Sequence, residues 1–174
     1  FTGRIDGGVF KPGDRVKTLP SGFVSTIKTI ELNGEQIAEA YAPMSVTMTL
    51  EDEIDTSRGD MIVRENNVPE VGQDIEVLVT WMNSNPLLAR TKVVIKHTTN
   101  ECMAMVKELK YKVDINTLHR IENIDKIEMN GIGRISIRTS KPLFYDAYRR
   151  NRQTGSVIII DEQTNETIGA GMII

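Results

Sequence analysis

Three side chains of this 174-residue sequence are of the types that ligate soft metals or attack substrates: Cys102, His97 and His119. A zinc site needs three or four ligands clustered at short spacings, and this set has no such spacing, so no metal site is expected. A Cys–His nucleophilic pair needs an accessible, activated thiol. Cys102 instead alternates with Ala104 and Val106, the pattern of an inward strand position, which predicts a buried structural thiol. Gly131-Ile132-Gly133 has the composition of a phosphate loop, but such a cradle needs a strand before it and a helix N-terminus after it. A strand-like run, Arg134-Ile135-Ser136-Ile137, follows, so a tight β-turn is expected. Neither the Gly-x-x-x-x-Gly-Lys-Ser/Thr phosphate loop nor the Asp-x-x-Gly and Asn-Lys-x-Asp motifs of GTP sites occur anywhere. Glu51, Asp52, Glu53 and Asp55 lack the regular spacing and glycine pivot of a hard-cation loop and read as a solvated loop, with Asp60 orienting the turn before the next strand. No catalytic, cofactor-binding or metal-binding residue is therefore assigned. The remaining cluster is Arg149, Arg150 and Arg152, with Tyr145 and Tyr148 beside it and Asn151 and Gln153 adding donors. Arginine and tyrosine are the types that most often anchor interfaces, so these five are the candidate partner or interdomain contact.

The elements that must position these residues are strands. Period-2 alternation between turn residues dominates the chain. In the first part it predicts strands over 1–6, 15–19, 23–32, 35–41, 45–50 and 61–64. Val24, Thr26, Lys28 and Ile30 should share one face, and so should Val46, Met48 and Leu50. Lys11-Pro12-Gly13-Asp14 and Pro20-Ser21-Gly22 are turns, and Asn33-Gly34 is a hairpin signal. A polar connector, 66–72, separates a second series over 74–81, 90–98, 102–113, 126–130, 133–140, 156–161 and 167–173. Residues 116–123 read as strand or loop. Only 145–153 has helix-like composition. The fold class is thus all-β, with two small barrels over 1–68 and 73–174, each built from short, evenly spaced strands.

Composition narrows the function. Hydrophobic residues at 40% and charged residues at 26% fit a globular protein. Aromatics at 5% supply no base-stacking platform, and a formal net charge of -3 opposes a phosphate-tracking surface, so no nucleic-acid partner is expected. Charge is uneven: residues 1–71 hold 7 basic and 12 acidic side chains, and residues 72–174 hold 14 and 12. The single cysteine excludes an intrachain disulfide and points to a cytoplasmic setting. No apolar run is long enough to span a bilayer, so no membrane partner is expected. The chain begins with Phe1, within a strand pattern, which predicts a piece of a longer protein.

Several motifs carry a family resemblance. Lys11-Pro12-Gly13-Asp14 with Leu19-Pro20-Ser21-Gly22, and then the run Ala42 to Leu50, resemble the second domain of translation-factor GTPases such as elongation factor Tu. The run Glu51 to Met61 is similar, more narrowly, to the GTPase subunit of bacterial sulfate adenylyltransferase, with Thr56 where isoleucine is common. Trp81-Met82, Asn116-Thr117-Leu118-His119-Arg120, Asn130 to Arg134, Asn151 to Ser156 and Asp161 to Asn165 look like that subunit's third domain. Gly169-Ala170-Gly171 is shared with elongation factors. The resemblance implies two barrels like domains 2 and 3 of translation-factor GTPases. It further implies a parent whose GTP hydrolysis drives formation of adenosine 5′-phosphosulfate from ATP and sulfate on a separate catalytic subunit. GTP and magnesium would then belong to a preceding GTPase domain, with no cofactor on this chain. Its partners would be that domain and the catalytic subunit. The alternative is the barrel pair of an elongation factor, binding aminoacyl-tRNA or a protein partner.

Overall fold

The computed structural model describes all 174 residues, which form strands, turns and no helix. They divide into two compact units, Phe1–Pro69 and Glu70–Ile174. Strand pairing is antiparallel throughout, so each strand alternates between a core face and a solvent face.

The first unit contains β1 (Thr2–Arg4), β2 (Val9–Phe10), β3 (Arg15–Leu19), β4 (Val24–Leu32), β5 (Glu35–Gln36), β6 (Ala40–Tyr41), β7 (Ser45–Leu50) and β8 (Met61–Arg64). Its main sheet runs β1-β7-β4-β3-β8, with β5 paired to β4, while β2 and β6 form a separate pair. The path has two ends, so β1 and β8 each have a single partner. Asn33 and Gly34 take φ of 53° and 88°, as a tight hairpin between Leu32 and Glu35 requires. On β7 the expected face is buried: Val46, Met48 and Leu50. On β4 the expected face is wrong. Ser25, Ile27 and Ile30 are buried and Lys28 is exposed, because a bulge between Ile27 and Thr29 inserts a residue and flips the alternation.

The second unit contains β9 (Glu70–Trp81), β10 (Leu87–Leu88), β11 (Lys92–His97), β12 (Asn100–Val113), β13 (Arg120–Glu122), β14 (Lys126–Ile127), β15 (Ile132–Tyr145), β16 (Ser156–Ile160) and β17 (Thr167–Ile173). Residues 70–72, expected in the connector, open β9. The order β11-β16-β17-β9-β15-β12 is closed by pairing of β11 with β12, giving a six-stranded barrel with β13 added to β12. Closure satisfies the backbone donors and acceptors that an open edge would leave unpaired. Register shifts in β12 on either side of Glu108 and Leu109, and in β15 between Arg138 and Leu143, bend the long strands around the core. Of residues 145–153, read as helix-like, Tyr145 ends β15 and the rest form turns: only the Asn151 amide, donating to the Ala147 carbonyl, repeats the α-helical spacing. Asn151 uses its own side chain on following amides, which competes with helix continuation.

The barrel interior holds Val77, Val79, Val93, Ile95, Ile135, Ile137 and Ile159, each at most 1% exposed. Trp81 is buried with its indole Nε1–H donated to the Asn85 carbonyl at 2.7 Å, so its one polar atom is satisfied. Cys102 is a free, buried thiol whose pKa is raised by burial, as the alternation predicted for a structural side chain. Opposite β9, Gly171 leaves no room for a side chain: a Cβ there would lie 2.2 Å from Val77 Cγ1. Replacing Gly171 with Ala should therefore lower unfolding stability by about 2 kcal/mol through overpacking. Urea titration measures this, and an unchanged midpoint would contradict the packing described.

Candidate partner-contact surface

The five candidate residues lie on and beside one turn, 146–155, that links β15 to β16. The turn is fastened from below. His97, the last residue of β11, is 1% exposed, and its Nε2–H donates to the Thr154 carbonyl at 2.7 Å. Thr154 Oγ1 donates to Asp146 Oδ2 at 2.8 Å. Asn151 Oδ1 accepts from the Gln153 amide at 2.9 Å, and the Asn151 carbonyl accepts from the Gly155 amide at 2.9 Å. The Tyr148 amide donates to the Ile173 carbonyl at 2.9 Å, tying the turn to β17. Gly155 allows this fold: a Cβ would lie 2.4 Å from Tyr148 Cα, so the chain could not double back over any larger residue.

The candidates separate into two kinds. Tyr145 and Tyr148 are half-buried, whereas Arg149, Arg150 and Arg152 are exposed. Tyr145 ends β15 opposite Glu70, and its ring lies over Gly72 on the neighbouring strand. Burial raises its phenol pKa, and the Glu70 carboxylate adds to that. Arg150 faces Asp146 at 3.8 Å. Neither Arg149 nor Arg152 has a carboxylate within ion-pairing distance, and residues 147–160 include no acidic residue. The turn therefore presents local positive charge on a backbone fixed by hydrogen bonds, as suits contact with an acidic surface. His97 was the residue missed by sequence reading as this turn's support. Its signal was present: it follows Val93 and Ile95 on the inward face of β11.

The other sequence features have structural roles. Asp52 Oδ2 accepts from the buried Ser25 hydroxyl at 2.7 Å, tying the acidic run to β4. Asp60 Oδ2 accepts from the Ser57 amide at 2.8 Å, closing the turn before β8 as expected. Thr56, between them, has a buried Oγ1 with no hydrogen-bond partner. The turn is 128–131, with the Gly131 amide donating to the Glu128 carbonyl; Ile132 and Gly133, expected in the turn, already open β15. Gly133 is required by contact: a Cβ would come within 2.6 Å of Ile127 Cδ1 and 2.7 Å of the Tyr111 carbonyl. His119 lies in a turn where Asp114 Oδ1 accepts from the Asn116 and Thr117 amides. Those amides lower the Asp114 pKa. No three His, Cys, Asp or Glu side chains converge as a metal site would require. No helix is long and apolar enough to cross a membrane.

Residues 74–174 match the family model described as GTP-eEF1A C-terminal domain-like. The whole chain is 44% identical to the bifunctional enzyme CysN/CysC of Rhodopirellula baltica, covering 27% of that protein. It is 42% identical to sulfate adenylyltransferase subunit 1 of Bacteroides fragilis, covering 36% of it. The chain thus spans about a quarter to two fifths of the length of such relatives. Among solved structures, 99% of the chain superposes on 42% of sup35 complexed with GMPPNP, with a TM-score of 0.89 and 15% identity. It also superposes, at 99% coverage, on 38% of translation elongation factor SELB from Methanococcus maripaludis, with a TM-score of 0.79 and 20% identity. At such identities these structures speak to the fold alone: both units have the architecture of translation-factor β-domains.

Two substitutions test the local accounts. Thr56→Val keeps the shape and removes the orphan hydroxyl, so it should raise stability by about 1 kcal/mol in thermal unfolding; a lower melting temperature would refute the orphan. Thr154→Val deletes the bond to Asp146 while keeping the carbonyl that His97 holds. It should cost about 2 kcal/mol, since the lost bond has a charged acceptor, and a neutral result would remove Thr154 from the turn's support.

Proposed function

The chain belongs to the GTP-eEF1A C-terminal domain-like family and is homologous over its full length to sulfate adenylyltransferase subunit 1; from that premise we propose that it is the non-catalytic β-domain part of such a subunit. In this reading the parent is a GTPase whose hydrolysis of GTP drives an unfavourable activation, the joining of ATP and sulfate into adenosine 5′-phosphosulfate and pyrophosphate. GTP and magnesium are held by a separate domain of the parent, in the cytoplasm, and the sulfate chemistry takes place on a catalytic subunit. The two β-units carry the effect of nucleotide state to that partner. The observation that supports this most is the identity of 44% along all 174 residues, against 15 to 20% for translation factors of the same fold. The net charge of -3 weighs in the same direction, because a tRNA-binding pair would present a basic surface.

Within this reading the 146–155 turn is the part that meets the partner. It offers three exposed arginines on a fixed backbone, and a fixed backbone lowers the entropy lost on docking. Chemistry on this chain itself is not part of the reading. A phosphate cradle needs backbone amides converging at a helix N-terminus, and every glycine-rich segment here enters a strand or a turn.

The experiment uses the complete subunit and its catalytic subunit. Changing Arg149, Arg150 and Arg152 together to Ala should weaken assembly about tenfold, equivalent to roughly 1.4 kcal/mol, with the circular dichroism spectrum unchanged. An affinity within twofold of the parent's would remove the turn from the interface. In parallel, calorimetry of this 174-residue chain with GTP and magnesium should give no micromolar binding; such binding would overturn the non-catalytic assignment.

A further inference from the structure

The outer wall of the second unit is divided by chemistry. On β9, β15 and the later part of β12 it is a ladder of cross-strand ion pairs. Asp74 meets Arg138 at 2.8 Å and Lys107 at 3.0 Å, and Glu76 meets Arg134 and Lys110. On β11, β16 and the early part of β12 the same wall carries an apolar row between lysines. Register aligns Met103, Val94 and Ile160 in one row across three adjacent strands. Met105 and Ile158 border the row, and Met103, Met105 and Ile158 are 37%, 39% and 41% exposed. Isolated exposed apolar side chains need no explanation, but a contiguous row on a wall otherwise covered by ion pairs marks an interaction surface.

Its border is cationic. Lys92 stands opposite Met105 and Lys96 opposite Ile158. Lys96 pairs with Glu101 at 2.9 Å, while Lys92 has no carboxylate within ion-pairing distance. The arginine turn adjoins the same strip: Ser156, the outward position before Ile158, donates its hydroxyl to the Arg152 carbonyl at 2.6 Å. An apolar row thus adjoins the arginine turn, and both acids near it are engaged: Glu101 by Lys96, and Asp161, next to Ile160, by the Gln163 and Thr164 amides.

Resting on the partner-contact reading above, we propose that the strip and the turn form one docking surface for an acidic amphipathic protein segment. Its apolar side chains cover Met103, Val94, Ile158 and Ile160, and its carboxylates meet Arg149, Arg152 and Lys92. Charge complementarity selects this occupant. A second copy of the chain would bring the same cations against each other. A nucleic acid would leave the apolar row covered only by phosphate and sugar. Methionine suits such a surface, because its flexible, polarizable side chain adapts to the apposed shape.

The test measures binding of the complete subunit to its catalytic subunit, with Ile158→Asp, Ile158→Lys and Met103→Asp as variants. Leu118→Asp serves as control, since Leu118 is 76% exposed on a turn away from the strip. The expected result is a loss of more than about tenfold for both Asp variants, a smaller loss for Ile158→Lys, no change for Leu118→Asp, and weaker binding as salt rises. Circular dichroism and melting temperature confirm that each variant folds. If the parent subunit binds and the strip variants bind within twofold of it, the docking surface is wrong while the proposed function stands. Equal losses for Ile158→Asp and Ile158→Lys overturn the acidic character of the partner. Competition by a short single-stranded RNA for the strip replaces the protein partner and overturns the proposal. If the parent subunit binds no catalytic subunit, the proposed function falls and takes this inference with it.

Discussion

Closure of the second unit by the pairing of β11 with β12 is the constraint on which its other features depend. Six register pairs, from Lys92 with Met105 to His97 with Asn100, join the first and last strands of the ladder. With the edge removed, every inward position becomes core, so Val93, Ile95 and His97 face a closed interior. His97 can then be buried only because its donor finds the Thr154 carbonyl. That bond holds the 146–155 turn against the end of the barrel. The same pairing lays Val94 beside Met103, which creates the outer apolar row.

Alternation and turn chemistry made much of this legible in the sequence. Asn33-Gly34 had to turn a hairpin, and Val46, Met48 and Leu50 had to face a core, because each pattern has a local physical cause. The β4 face was misread because a bulge is a property of two strands: nothing near Lys28 reveals that Thr29 pairs with Thr49 while Ile27 pairs with Leu50. The helix-like composition at 145–153 was overridden by the Asn151 side chain, which takes the Gln153 and Thr154 amides, and by the close approach of Gly155 to Tyr148. Residues 70–72 were read as connector because Gly72 weakens a strand signal, yet Tyr145 packs over that glycine and the strand continues.

The candidate surface was legible in part. Three arginines and two tyrosines are visible in one segment, but sequence alone could not divide them into half-buried tyrosines and exposed arginines. The apolar strip was not legible at all, since its row draws single residues from β12, β11 and β16, far apart in the chain. Alternation sets Val94 with Lys92 and Lys96, opposite Val93 and Ile95, but only register reveals that Met103 and Ile160 stand beside it. Gly133 tells a parallel story: it reads as a turn residue and is in fact a strand position packed against Ile127 and the Tyr111 carbonyl.

Barrel closure is tested most directly by amide hydrogen exchange on this chain. The β11 and β12 amides in the closing ladder should be as protected as those pairing β9 with β15, and far slower than the amides of Thr2–Arg4 on an open edge. Exchange of the β11 and β12 amides at the edge-strand rate would show an open sheet. An open sheet would leave neither a fixed support for the turn nor a continuous apolar row.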